Sequence, residues 1–90
     1  LPPILDKIMP SQAAAKAGLQ PGDRILSINN QKITNWYDLI KFIQANPNKT
    51  VPVTVQRGHQ NVNVTLAIGE RYVNRLKPIG FIGVQPIAVD

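Results

Sequence analysis

The sequence contains no cysteine, one histidine, five aromatic residues and five acidic side chains among its 90 residues. Without cysteine the chain can form no disulfide and offers no thiolate for metal binding or nucleophilic attack. Its longest apolar runs extend over only a few residues, which is too short for a membrane-spanning helix and unlike a signal peptide. These absences exclude disulfide scaffolds, thiol chemistry and membrane-spanning segments, and they leave the redox compartment open.

The length and composition predict one compact domain. Ninety residues with 43% hydrophobic content can build a single core of modest stability. The chain opens on Leu1-Pro2-Pro3 rather than on Met. We therefore expect residues 1–90 to be a single domain and a fragment of a larger protein.

The basic excess gives a formal net charge of +5, which raises the question of an anionic partner. Most lysines and arginines are spread evenly along the chain, and only Arg71, Arg75 and Lys77 cluster. The few aromatic residues do not alternate with basic ones as stacking platforms for bases would. The pattern predicts no nucleic-acid binding and leaves the three-residue cluster as a candidate for contact with an acidic ligand.

Apolar periodicity and turn residues predict a mostly β chain with two helices. Ser11 is the predicted N-cap of the first helix, and Asn35 is that of the second, with Asp38 beside it. Asn29-Asn30 predicts a tight turn, and Asp23 is expected to accept hydrogen bonds from turn N–H groups. The predicted strands are 3–8, 24–28, 31–33, 51–56, 61–68 and 81–86, and the predicted helices are 12–17 and 35–45. The segment 69–78 is predicted to be a polar, basic loop.

The second helix carries an apolar arc too broad for one contact surface. Leu39 and Phe42 are predicted to face the sheet, whereas Trp36, Ile40 and Ile43 share another side and are predicted to line a groove. The alternative is that all five are core residues, or that the bulk of Trp36 closes the site.

The segment 78–84 places Gly80 and Gly83 among apolar residues. A glycine lets successive backbone N–H groups curl into a nest that can hold a peptide carboxylate, with apolar neighbours forming a pocket for the last side chain. Two registers fit: Phe81-Ile82-Gly83-Val84, which we prefer, and Pro78-Ile79-Gly80-Phe81. A β-bulge or a close approach of two backbones would use the same glycines.

Residues 17–30, Ala-Gly-Leu-Gln-Pro-Gly-Asp-Arg-Ile-Leu-Ser-Ile-Asn-Asn, resemble the signature of PDZ domains. The glycine segment follows the hairpin instead of preceding it, an order similar to that in the periplasmic PDZ domains of bacterial site-two zinc metalloproteases, above all the second, C-terminal one. The resemblance covers nearly the whole chain. It implies a circularly permuted PDZ fold, a small partly open β-barrel or sandwich with two helices. It also implies a peptide-binding site formed by Phe81, Ile82, Gly83, Val84, Trp36, Ile40 and Ile43.

The same resemblance implies a function for the parent protein. Such a parent is an intramembrane zinc metalloprotease that cleaves a trimmed transmembrane anti-sigma factor in envelope stress signalling. This domain would be a monomeric module on the periplasmic face of the bacterial inner membrane. It would either bind the new hydrophobic C-terminus of the substrate or exclude bulky untrimmed substrates.

The catalytic His-Glu-x-x-His motif of that family is missing, and His59 has no candidate co-ligands near it in sequence. We therefore expect no catalytic residue, metal or cofactor in this chain, and zinc only in the parent. The alternative is a PDZ domain of a soluble periplasmic trypsin-like serine protease.

Overall fold

The computed structural model describes residues 1–88, which form eight strands and two helices. The elements are β1 Leu5–Ile8, α1 Ala13–Lys16, β2 Arg24–Ile28, β3 Gln31–Lys32, α2 Trp36–Ala45, β4 Thr50–Arg57, β5 Gln60–Ala67, β6 Gly69–Tyr72, β7 Pro78–Phe81 and β8 Val84–Pro86.

The strands form three antiparallel sheets that stay open. The largest has the order β3-β2-β4-β5, while β1 pairs with β8 and β6 pairs with β7. Within residues 1–88 no sheet closes into a barrel. The predicted fold class, mostly β with two helices and partly open, is confirmed. The glycine segment 78–84 follows the β4–β5 hairpin, as the permuted order requires.

The core combines buried residues of the four-stranded sheet and α2 with others from β1, α1 and the segment after β7. Alternate residues of β4 are buried, as the Val-x-Val-x-Val pattern predicts. In β2 the buried residues are Ile25 and Ile28, three positions apart, because the pairing with β4 shifts by one residue between Ile25 and Ser27. That bulge turns both isoleucines toward the core, which strict alternation would prevent.

Helix α2 begins where the sequence predicts. The Asn35 side chain accepts a hydrogen bond of 2.8 Å from the N–H of Asp38, which satisfies one donor of the first turn. The helix ends at Ala45, two residues before Pro47. Neither α2 nor the shorter α1 could cross a membrane, and residues 1–88 contain no other helix.

The predicted cap of α1 is wrong. Ser11 is exposed with a φ of 67°, and Gln12 is the residue at the N-cap, without a capping side-chain hydrogen bond. Instead, the N–H of Ala14 donates to the carbonyl oxygen of Ile82 at 3.0 Å. A backbone contact from the far end of the chain therefore replaces the side-chain cap, and local sequence does not reveal such a contact.

The structure also corrects the C-terminal part. Residues 69–72 form a strand that pairs with β7, so that only 73–77 remain a loop. The predicted strand 81–86 is interrupted, because β7 ends at Phe81 and β8 begins at Val84. Gly83, with a φ of 77°, breaks the extended conformation between them.

Asp23 and Arg57 form an ion pair that joins the turn before β2 to the end of β4. The carboxylate is fully buried and accepts from Arg57 Nε at 2.9 Å and Nη2 at 2.8 Å. It also accepts from the N–H of Gln20, which confirms its predicted bond to the turn. Burial raises the pKa of the Asp23 carboxyl, but the hydrogen bonds from Arg57 and Gln20 outweigh burial and hold the pKa below its usual value.

We predict that Arg57→Gln destabilises the domain more than Asp23→Asn does. Loss of Arg57 leaves a buried carboxylate with one backbone donor, whereas Arg57 without Asp23 can still reach water. Asp23→Asn should cost about 1–3 kcal/mol. Urea unfolding curves measure both, and Arg24→Gln is the control because it removes a neighbouring cation outside the ion pair.

The loss of folding stability caused by Asp23→Asn should also depend on pH. Since the folded pKa lies below the unfolded value of about 3.9, the stabilisation is present above that value and is lost as pH falls below it. The difference between the parent and Asp23→Asn should therefore shrink from pH 6 to pH 2. A difference that stays constant over this range would contradict the ion pair.

Candidate functional site

A groove runs between α2 and the segment from β7 to Val84. It consists of two cavities, one of about 490 Å³ and one of about 180 Å³, which share Ile40, Gln44 and Ile79 as lining residues. We call it the α2–β7 groove. The smaller cavity lies at its glycine end, beside Gly80 and Gly83, and the larger one lies beside Tyr37, Lys41 and Lys77.

Six of the seven sequence-predicted site residues line the smaller cavity together: Ile40, Ile43, Phe81, Ile82, Gly83 and Val84. Ile43 and Ile82 are almost fully buried, at 2% and 3% exposure, and so belong to the core as well. Trp36 is half-buried against the core and lines neither cavity. The binding role of all seven residues stays a prediction.

Gly80 determines how closely α2 approaches β7. It is buried, and a Cβ at this position would overlap the carbonyl oxygen of Ile43. The backbones of the helix and the strand therefore meet directly, with no side chain between them. Both residues line the smaller cavity, so this contact forms part of its wall.

The backbone of Ile82 and Gly83 is hydrogen-bonded through its carbonyl groups. The oxygen of Ile82 accepts from Ala14 at 3.0 Å, and that of Gly83 accepts from Met9 at 2.9 Å. Among the hydrogen bonds that residues 1–88 form outside their helices and strands, none has the N–H of Ile82 or Gly83 as donor. Both residues are buried and line the smaller cavity, so two consecutive backbone donors lie beside it.

The backbone conformation favours one of the two predicted registers. Gly83 has a φ of 77°, whereas Gly80 does not lie in the left-handed region. An anion-binding nest pairs a right-handed helical residue with a following left-handed one, and the positive φ of Gly83 suits the second position. Gly80 instead allows the backbones of β7 and α2 to approach closely, which is the alternative use that the sequence offered for these glycines.

Basic side chains surround the groove. The Arg71 guanidinium lies 5.1 Å from the centre of the Phe81 ring and lines the smaller cavity, while Lys41 and Lys77 line the larger one. Arg75, the third member of the predicted cluster, lines neither. Among the described residues that form the two cavities none is acidic.

Sequence reasoning missed part of the lining. Three further residues of α2 line the larger cavity at helical spacing, namely Tyr37, Lys41 and Gln44. That spacing, next to the predicted groove residues Ile40 and Ile43, is the signal from which the sequence could have predicted them. Phe42 is only half-buried and lines a third, more polar cavity of about 510 Å³ with Asn29 and Asp38, so its predicted place in the core holds only in part.

The side chains of the described residues do not form a cluster that fits a zinc ion. Within residues 1–88 no group of three or more His, Asp or Glu side chains lies close enough to hold a metal. His59 is exposed in the turn between β4 and β5. We therefore assign no step to a metal in this chain.

Comparison with known proteins gives consistent matches. Residues 5–57 match the family described as PDZ domain. The chain is 37% identical over 84 residues, 93% of its length, to the Regulator of sigma-E protease RseP of Escherichia coli K12. It is 38% identical over 82 residues, 91% of its length, to a Vibrio cholerae protein that carries the name of a zinc metalloprotease. It spans 18% of the length of each relative.

Two solved structures share the fold. The PDZ domain of the SdrC-like protein from Listeria monocytogenes superposes with a TM-score of 0.70 at 21% identity, covering 90% of this chain and 82% of that one. The HtrA-type protease AlgW with a decapeptide gives a TM-score of 0.67 at 23% identity, covering 94% of this chain and 22% of AlgW. At these identities the likeness concerns the fold alone.

We predict that Gly83→Ala destabilises the domain by about 1–3 kcal/mol more than Gly58→Ala. Both residues have a positive φ, but a Cβ at Gly83 would lie 2.6 Å from the Gln12 Cβ, whereas at Gly58 nothing lies within 4 Å. Gly58→Ala thus measures the backbone strain without the contact. Equal losses in urea unfolding would mean that Gly83 is not packed against Gln12.

Proposed function

Because the chain belongs to the PDZ domain family, we propose that it binds the free, hydrophobic C-terminus of another polypeptide in the α2–β7 groove. The terminal carboxylate would accept hydrogen bonds from the N–H groups of Ile82 and Gly83. The last side chain would occupy the smaller cavity, and the preceding residues would extend into the larger one.

The observation that carries the proposal is the position of the two backbone donors beside an apolar cavity. A carboxylate loses its hydration when it enters a groove, and converging N–H groups replace the lost hydrogen bonds. The carbonyl oxygens of Ile82 and Gly83 already accept hydrogen bonds from the N–H groups of Ala14 and Met9, respectively, which hold the segment in place before a ligand binds. This preorganisation lowers the cost of binding.

The size of the smaller cavity supports a single apolar side chain as its occupant. Its volume of about 180 Å³ is slightly above the roughly 150 Å³ of an apolar protein cavity that binds benzene. Ile40, Ile43 and Val84 supply an aliphatic lining. A Val, Leu or Phe at the end of the ligand fits this space and this chemistry.

We further propose that the parent protein is an intramembrane zinc metalloprotease and that the ligand is the C-terminus left when a first protease trims a transmembrane anti-sigma factor. The names of the relatives, RseP and a zinc metalloprotease, support this assignment. The module would act as a monomer on the periplasmic face of the inner membrane, as the second of the parent's two PDZ domains. These details follow from the family resemblance.

The alternative parent, a soluble trypsin-like serine protease, has weaker support. AlgW shares the fold at 23% identity, whereas the relatives named as RseP reach 37% over almost the whole chain. The bound decapeptide of AlgW nevertheless supports peptide binding as a use of this fold.

We predict that a peptide ending in Val or Leu binds as the free acid at least tenfold more tightly than as the C-terminal amide, measured by isothermal titration. The amide removes the charge for which the nest is suited. If acid and amide bind equally, or if neither binds to the folded domain, the groove does not capture C-termini. The exclusion of bulky substrates is then the better hypothesis.

A second prediction tests the apolar cavity. Val84→Ala should weaken binding of the same peptide by roughly 1–2 kcal/mol, the scale of lost methyl burial. Val73→Ala is the matched control, because Val73 is 60% exposed and lines neither cavity. An unchanged affinity in folded Val84→Ala would remove Val84 from the site.

A third prediction concerns the basic cluster. Replacing Arg71, Arg75 and Lys77 with Ser should slow association of an acidic peptide, and the effect should disappear at high salt because exposed charges are screened within about 10 Å at 0.1 M. The control replaces Lys7, Lys16 and Lys49, which are exposed elsewhere. Equal association rates for the cluster variant and the parent at low salt would leave the cluster without a role in capture.

A further inference from the structure

The tip of the β6–β7 hairpin exposes apolar side chains that the groove does not use. Tyr72 is 61% exposed, Val73 60% and Leu76 90%, the highest exposure among the large hydrophobic residues of the described chain. The Asn74 side chain accepts a hydrogen bond of 2.8 Å from the N–H of Leu76, which orders the turn. We call residues 72–77 the hairpin tip. All six of its residues are exposed.

Positive charge accompanies these apolar residues. Arg75 and Lys77 lie within the hairpin tip and Arg71 lies directly before it, all three exposed. The nearest acid in sequence, Glu70, accepts a hydrogen bond of 2.8 Å from the Asn48 side chain. The tip itself contains no acidic residue.

We propose that the hairpin tip inserts into an anionic lipid surface. Exposed Leu and Val side chains suit the acyl region, a Tyr suits the interface between the hydrocarbon and the headgroups, and arginine and lysine attract anionic headgroups. Three side chains on one turn fall well short of the roughly 800 Å² that each partner buries in a stable protein interface.

Insertion would have a consequence for the groove. β7 leads from the hairpin tip to Gly80, and Lys77 lines the larger cavity. A tip held in the bilayer would therefore keep the groove close to the membrane surface, where the end of a membrane-anchored polypeptide emerges. This consequence rests on the proposed function, whereas insertion itself does not.

The test is co-sedimentation of the chain with vesicles of phosphatidylcholine alone and with vesicles containing about one third phosphatidylglycerol. We expect the unsubstituted chain to bind the anionic vesicles. Its binding to the neutral vesicles should be at least tenfold weaker. Val73→Ser/Leu76→Ser should weaken anionic binding on the order of tenfold, and peptide titration should be unchanged. The matched control is Leu1→Ser, since Leu1 is 60% exposed outside the hairpin.

Three results would overturn the proposal. The first is no binding of the parent chain to anionic vesicles at low salt. The second is equal binding by the parent and Val73→Ser/Leu76→Ser, which would mean attraction by net charge alone. The third is a concentration-dependent dimer in analytical ultracentrifugation that the double variant abolishes, which would make a second copy the occupant. Failure of peptide binding with vesicle binding intact would contradict only the proposed function.

Discussion

The structure depends on the way in which the backbone of Ile82 and Gly83 is held. Their carbonyl groups bond to Ala14 and Met9 and thereby join α1 to the last strands of the chain. The bond from Ala14 to Ile82 caps the short helix α1 in place of a side chain, while the positive φ of Gly83 separates β7 from β8. What remains is a pair of N–H groups beside an apolar cavity. One local conformation thus links the closure of the domain to the site at which we propose that a carboxylate binds.

Helix α2 forms the other wall of the groove. Its apolar residues face both the core and the groove. Leu39 and Ile43 fix the helix to the core at 1% and 2% exposure, while Ile40 remains half-buried and reaches both cavities. The contact between Gly80 and the Ile43 carbonyl brings the strand against the helix. The groove therefore has a smaller, mostly apolar cavity with Arg71 beside it at the glycine end, and a larger cavity with Lys41 and Lys77 at the other.

The sequence predicted those features that are determined by neighbouring residues. The cap of α2 by Asn35, the alternation of β4 and the stop before Pro47 depend on local chemistry, and the structure has all three. Both predicted registers of the glycine segment contain residues that line the smaller cavity, and their binding role stays a prediction.

Contacts between distant residues were less predictable. The carbonyl of Ile82, which caps α1, lies 68 positions along the chain from its donor Ala14. Arg57 lies 34 positions from Asp23, whose carboxylate it binds. No periodicity indicates such pairs, so Ser11 was assigned a cap that it does not form. The strand β6 was predicted as part of a loop, because three of its four residues are exposed and its sequence has no alternating apolar pattern.

The most direct measurement of the binding mode is an amide ¹H–¹⁵N chemical-shift titration with a peptide ending in Val. The free acid should move the N–H signals of Ile82 and Gly83 most, downfield, as expected for new charge-assisted hydrogen bonds, and the C-terminal amide should move them far less. Shifts confined to the third cavity, at Asn29 and Phe42, with Ile82 and Gly83 unmoved, would contradict carboxylate capture in the α2–β7 groove.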